Sequence, residues 1–136
     1  MKHFNFVTSY QVRVADVNYG GHVANSAVLN IFQDARILYF GHLGPFSELD
    51  IGGCGIIMPE AHVYFRCEMF LHDQLQVGVR WRQLKRSSFT LEYRVERDGE
   101  LTAEGETSLI CFDYQRRKPT KIPSDFKQAL EVSFSC

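Results

Sequence analysis

A chain of 136 residues, 45% of them hydrophobic, can bury one substantial core and is too short for a second. Its formal net charge of -1, from 15 basic and 16 acidic residues, gives no electrostatic case for nucleic acid or an anionic membrane as main partner. Cys54, Cys67, Cys111 and Cys136 form no C-x-x-C pair, there is no apolar leader core and no run long enough to cross a bilayer, so one cytoplasmic domain over 1–136 is expected, with reduced thiols and no metal or cofactor.

His3 to Val14 alternates through Phe4, Phe6, Tyr10, Val12 and Val14, which predicts an opening strand. A polar turn follows. From Val28, the residues Val28, Ile31, Phe32, Ala35, Leu38 and Tyr39 fall at the spacing of one helix face, with Asn30, Gln33, Asp34 and Arg36 off it. Gly41, Gly44 and Pro45 end that helix. Phe46 to Gly55 carries three glycines and reads as a link from helix to sheet, or as a loop able to flex over a pocket.

Strands come next. Ala61, Val63, Phe65 and Cys67 alternate with Glu60, His62, Tyr64 and Arg66, the pattern of a strand with one buried face; Leu75, Val77, Val79 and Trp81 repeat it. Phe89, Leu91, Tyr93 and Val95 make a third, ended by the hairpin signal Asp98-Gly99, and Thr102 to Tyr114 runs as a last long strand. After the basic turn RRKPTKIP, Ser124 to Val132 predicts a short closing helix with Ser124 as its N-cap. The layout is α+β: a five-stranded antiparallel sheet wrapped around one long central helix. Its exposed edges favour pairing with a second copy.

The chemistry gathers at the entrance to the long helix. Asp16, Asn18, Gly20, Gly21, His22 and Asn25 crowd polar side chains and flexible backbone against it. Unpaired N–H groups and the positive end of the helix dipole would stabilise a carbonyl oxygen that gains negative charge there. The stretch reads as an active-site entrance.

These residues also carry a likeness. VRVADVNYGGHVANSAVLNIFQDAR is close to R-x-x-D-x-D-x-x-G-H-V-N-N followed by a helix with an A-R pair, and MPEAHVYFRCEMFLHDQL, LKRSSFTLEY and RRKPTKIP follow in order. Over nearly its whole length the chain resembles the hotdog-fold acyl-CoA thioesterases of the 4-hydroxybenzoyl-CoA thioesterase-like group. The resemblance implies hydrolysis of an acyl thioester in a homodimer or homotetramer with sites at the subunit interface. It implies acyl-CoA as substrate, with acyl carrier protein as an alternative bearer of the same phosphopantetheine arm.

In that family the second carboxylate of the D-x-D element commonly serves as nucleophile or base, and here the position is Asn18. An amide neither takes a proton at neutral pH nor attacks a carbonyl as a carboxylate does. Asn18 would instead hold a water, leaving Asp16, His22, Glu60 and Asp34 as candidate bases. Each has another role open to it: Asp16 as a turn residue bonding nearby N–H groups, His22 as support for the turn, Glu60 as a solvated or salt-bridged charge, Asp34 as an ion-pair partner beside Arg36. The same substitution keeps open a non-hydrolytic acyl-thioester binding protein.

By resemblance, the N–H at or near Asn25 points at the thioester carbonyl while Asn25 also caps the helix, and Gly21 leaves room for the substrate. Lys85 and Arg86, leading to Ser87 and Ser88, match the basic strand-turn segment that contacts the nucleotide in relatives. Arg116, Arg117, Lys118 and Lys121 form a second cluster suited to phosphate. Phe40, Leu43, Phe46, Ile56, Ile57 and Met58 serve either as acyl pocket or as plain core.

Overall fold

The computed structural model describes residues 1–135, so Cys136 lies outside the described residues. In chain order the elements are β1 (Phe6–Gln11), α1 (Asn25–Leu43), β2 (Gly55–Phe65), β3 (Gln74–Arg82), β4 (Ser88–Arg97), β5 (Glu100–Asp113), β6 (Lys118–Pro119) and α2 (Ser124–Ser135). All strands pair antiparallel in the order β1-β3-β4-β5-β2, and β6 joins β5. The expected five strands are present. The sixth is an addition: part of the basic turn pairs Asp113 with Lys118 and Phe112 with Pro119, a two-residue ladder at which a proline costs little.

Asp98 and Gly99 both have positive φ, 51° and 79°, as the tight β4–β5 hairpin requires. The inward residues of that hairpin, Phe89, Leu91, Tyr93, Val95, Leu109 and Cys111, are buried, with Tyr93 against Phe32 and Phe89 against Phe40 of α1. Gly105, opposite Tyr93, belongs to the same face. A methyl group there would strike the His62 carbonyl and lie 2.8 Å from the Phe32 ring. The vacancy lets Phe32 stack on Tyr93 with ring centroids 4.4 Å apart and planes 4° from parallel.

Two residues of α1 depart from the expected stripe. Leu38 is 45% exposed, whereas Arg36 is 4% exposed and enters the core. Arg36 Nε–H donates to Glu48 at 2.9 Å and its Nη1 to the Tyr93 hydroxyl at 3.0 Å; Tyr93 bonds in turn to Thr107 at 2.7 Å. Burial works against the guanidinium charge, but Tyr93 and Glu48 more than offset this and raise its pKa above the ordinary value. The Asp34–Arg36 pairing considered from sequence is therefore replaced by Arg36–Glu48, because the arginine turns inward while Asp34 stays half-buried beside Tyr10.

β2 is also less covered than its alternation implied. Ala61 and Val63 are only half-buried and Phe65 is 50% exposed, because β2 is an edge strand, and Cys67 lies beyond its end. Phe40 and Phe46 pack edge-on against Phe126 of α2, which assigns them to the core rather than to an acyl pocket. The Trp81 indole N–H, donating to the Leu130 carbonyl at 2.8 Å, ties α2 to β3.

Candidate active site

Before α1 the chain makes a small closed turn. Val17 and Val23 face each other in an antiparallel bridge, Asn18 N–H donates to the His22 carbonyl at 3.1 Å, and Gly21 N–H donates to the Asn18 carbonyl at 3.0 Å. Gly21 takes φ 81°, so glycine is needed there for its backbone; the space beside it is open. Two contacts fix the turn to the connection between β2 and β3: Val23 N–H donates to Met69 O at 2.7 Å, and His22 bridges Phe70.

Asp16 points away from this turn's open side. It is 7% exposed and accepts from the Tyr10 hydroxyl at 2.7 Å and the Arg13 N–H at 2.9 Å, the turn role foreseen for it. Burial first, and then the bond to Asp16, push the Tyr10 pKa up to about 12, so the phenol stays a donor. Asn18 and His22 lie on the open side. Asn18 Oδ1 accepts from Gly20 N–H at 2.9 Å, and a methyl group on Gly20 would lie 2.8 Å from His22 Nε2 and 3.2 Å from Asn18 Oδ1. Both side chains thus border the space that a side chain on Gly20 would fill.

Asn25 is the first residue of α1 and not its cap; that place belongs to Ala24, whose ψ of 145° is extended. The reason is local: Ala24 N–H is held by the Asp16 carbonyl at 2.9 Å, and the helix turns only after it. The Asn25 N–H is therefore one of the first-turn donors that no carbonyl of the helix can reach. His22, Asn25, Val28, Phe65, Glu68 and Met69 line a cavity of about 210 Å³ at this helix start. Glu68 is the acidic member that sequence reading missed, since nothing in local spacing relates it to His22.

Glu60 is elsewhere. It sits at the irregularity in β2 that follows Ile57, bonds His62 Nε2 at 2.6 Å, and by that bond raises the His62 pKa. At about 3.3 Å per residue it lies on the order of 16 Å along the strand from Phe65 and the cavity.

The cations are farther still. The turn and the start of α1 adjoin the Phe65 end of β2, whereas Phe40, late in α1, faces Phe89 and Phe126 at the opposite end. The 19 residues of α1 span roughly 28 Å between those ends. At the far end the two basic segments do join: Ile122 N–H donates to Arg86 O at 2.8 Å, and Cys111, between them, donates to Ser87 O and accepts from Thr120 N–H. Lys85, Arg86, Arg117, Lys118 and Lys121 are all exposed there, Ser87 and Ser88 half-buried. In one chain, then, the structure unites the two basic clusters with each other and not with the turn before α1.

The family model described as Thioesterase-like superfamily matches residues 12–130, from before the turn through most of α2. The chain belongs to this superfamily. Among solved structures, this superfamily member is similar to a thioesterase complexed with coenzyme A and Zn from Thermus thermophilus, at 28% identity and TM-score 0.88, covering 100% of this chain and 98% of that one. It is also similar to a gentisyl-coenzyme A thioesterase, at 25% identity and TM-score 0.83, covering 92% and 99%. A 1,4-dihydroxy-2-naphthoyl-CoA hydrolase of Synechococcus elongatus is 22% identical over 90% of this chain and 92% of its own. Among the described residues of this thioesterase-like chain, no helix is long and apolar enough to cross a membrane.

Proposed function

We propose that this protein hydrolyses an acyl-CoA thioester, with the thioester carbonyl set at the start of α1 and His22 taking the proton from the attacking water. The observation that carries this reading is the placement of His22 Nε2 and Asn18 Oδ1 around Gly20, beside the positive end of a 19-residue helix. Water adds to the carbonyl carbon as His22 accepts its proton. The oxyanion is held by first-turn N–H groups, Asn25 foremost; the C–S bond then breaks and the thiolate leaves with the proton that His22 carries. Asn18, which cannot be the base, orients the water.

We propose further that the working unit is a pair of chains joined through β2. That edge strand exposes Met58, Tyr64 and Phe65, and α1 exposes Leu29 and Ile37. A two-fold pairing of β2 strands is antiparallel and sets the Phe65 end of one copy against the Gly55 end of the other. The cations of one chain then approach the turn of its neighbour, where the phosphates of coenzyme A, or an acidic carrier protein bearing the same arm, would need them.

Thiol release from short, medium, long and aromatic acyl-CoA esters tests the reaction. Wild type is expected to turn over at least one class, and His22→Ala to lose roughly 100- to 1,000-fold in kcat. Asn18→Ala should lose less. A wild type silent on every ester, with activity appearing in Asn18→Asp, would replace this reading with a protein that binds acyl thioesters without hydrolysing them.

A further inference from the structure

His22 has a second polar neighbour. Glu68 Oε1 lies 3.9 Å from His22 Nδ1, on the side of the ring away from Gly20, and both residues line the cavity at the helix start. The approach is built by backbone: the His22–Phe70 bridge and the Val23–Met69 bond clamp the two segments together, and Arg97 Nη1 donates to the Glu68 carbonyl at 2.8 Å. The other charged or ionisable groups on that cavity wall do not compete. Arg66 is engaged with Glu104 at 3.0 Å, and the Cys67 thiol is held above its ordinary pKa, by desolvation first and then by Glu100, so it stays neutral. Asp16, on the turn's own segment, is turned to Tyr10 and Arg13.

An imidazole works as a base only if the lone pair that must accept the proton is the one facing the water. The proton on the other nitrogen therefore needs a fixed acceptor. We propose that Glu68 is that acceptor: Nδ1–H donates to its carboxylate, which locks the tautomer with Nε2 free towards Gly20 and Asn18 and steadies the imidazolium formed during the reaction. This rests on the hydrolytic reading of the site. Glu68 is a positioning residue: it acts through His22 Nδ1 and not on the water at Nε2. At 3.9 Å the two atoms are near but not hydrogen-bonded, so the proposal requires them to close to bonding distance in the substrate complex. A surface contact between side chains 37% and 66% exposed has next to no value for stability, so its removal should leave folding untouched.

The test is a double-mutant cycle on the most active ester, using Glu68→Gln, His22→Ala and the double variant, with melting curves as a control. Glu68→Gln is expected to lower kcat by roughly 10- to 100-fold with KM little changed, Glu68→Asp to restore part of it, and Glu68→Gln to have no further effect once His22 is alanine. Imidazole nitrogen chemical shifts of His22 should show one tautomer in wild type and a mixture in Glu68→Gln. Equal losses in the presence and absence of His22, or a Glu68→Gln enzyme at wild-type kcat, would overturn the assignment to Glu68 while leaving His22 as base. Loss of nothing in His22→Ala would instead sink the hydrolytic reading beneath it.

Discussion

Arg36 is where single side chains matter most for the fold. A guanidinium at 4% exposure is tolerable only because Glu48 and Tyr93 accept from it. Glu48→Ala should therefore destabilise the protein by about 3 kcal/mol, seen as a lower urea midpoint with unchanged slope, because the charge is left buried and unpaired. A loss below about 1 kcal/mol would mean that water reaches Arg36 once Glu48 is gone. At this scale the sequence was legible only where neighbours along the chain are neighbours in space. Asn18, Gly20, Gly21 and His22 lie within one turn, so the D-x-N-x-x-G-H spacing already assembled half of the site. Glu68 and Glu48 are brought in by pairing between distant segments, and no local pattern marks either of them. Arg36 misled for the same reason: helical periodicity puts it off the apolar stripe and says nothing of a tyrosine on β4 waiting for it.

The elements were easier to read because alternation and 3.6-residue periodicity are themselves consequences of having one buried face. Every long strand and both helices were visible in this way, and the hairpin at Asp98-Gly99 was marked by its turn chemistry. β6 was hidden, since two residues have no period. β2 was read as having one buried face because its sequence has the pattern of a covered strand, yet the edge position leaves Ala61 and Val63 only half-buried and Phe65, on that same face, half exposed. Gly105 shows how closely β5, β2 and α1 are fitted. Gly105→Ala would push against the His62 carbonyl of β2 and the Phe32 ring of α1 together, and is expected to cost about 2 kcal/mol through overpacking. Pairing it with Phe32→Leu, which vacates the ring's place, should recover part of that loss in the same urea titration, whereas strictly additive losses would place the strain in the β2 backbone alone.

Across the whole molecule the decisive fact is separation: the turn with Asn18 and His22 is at one end of α1, and Lys85, Arg86 and Lys121 are at the other. Coenzyme A is long, but a phosphate site on the same chain would ask it to lie along the full helix, over a face that exposes Leu29 and Ile37 and suits a second copy better than a nucleotide. If the cations act across a two-fold axis, two crippled chains can repair each other. On the proposed roles His22→Ala lacks the base and Lys85→Glu/Arg86→Glu lacks the cations, so each alone should be nearly inactive at low substrate. When the two are unfolded together and refolded as a mixture, half of the pairs are hybrid. In each hybrid one site takes its turn and its cations from the unmutated halves of the two chains, and activity should return to roughly a quarter of wild type. Were both functions drawn from the same chain, every site in every hybrid would carry one defect and the mixture would stay as inactive as its parts. The comparison is made at equal protein concentration and at substrate well below KM, where loss of phosphate contacts is most visible in kcat/KM.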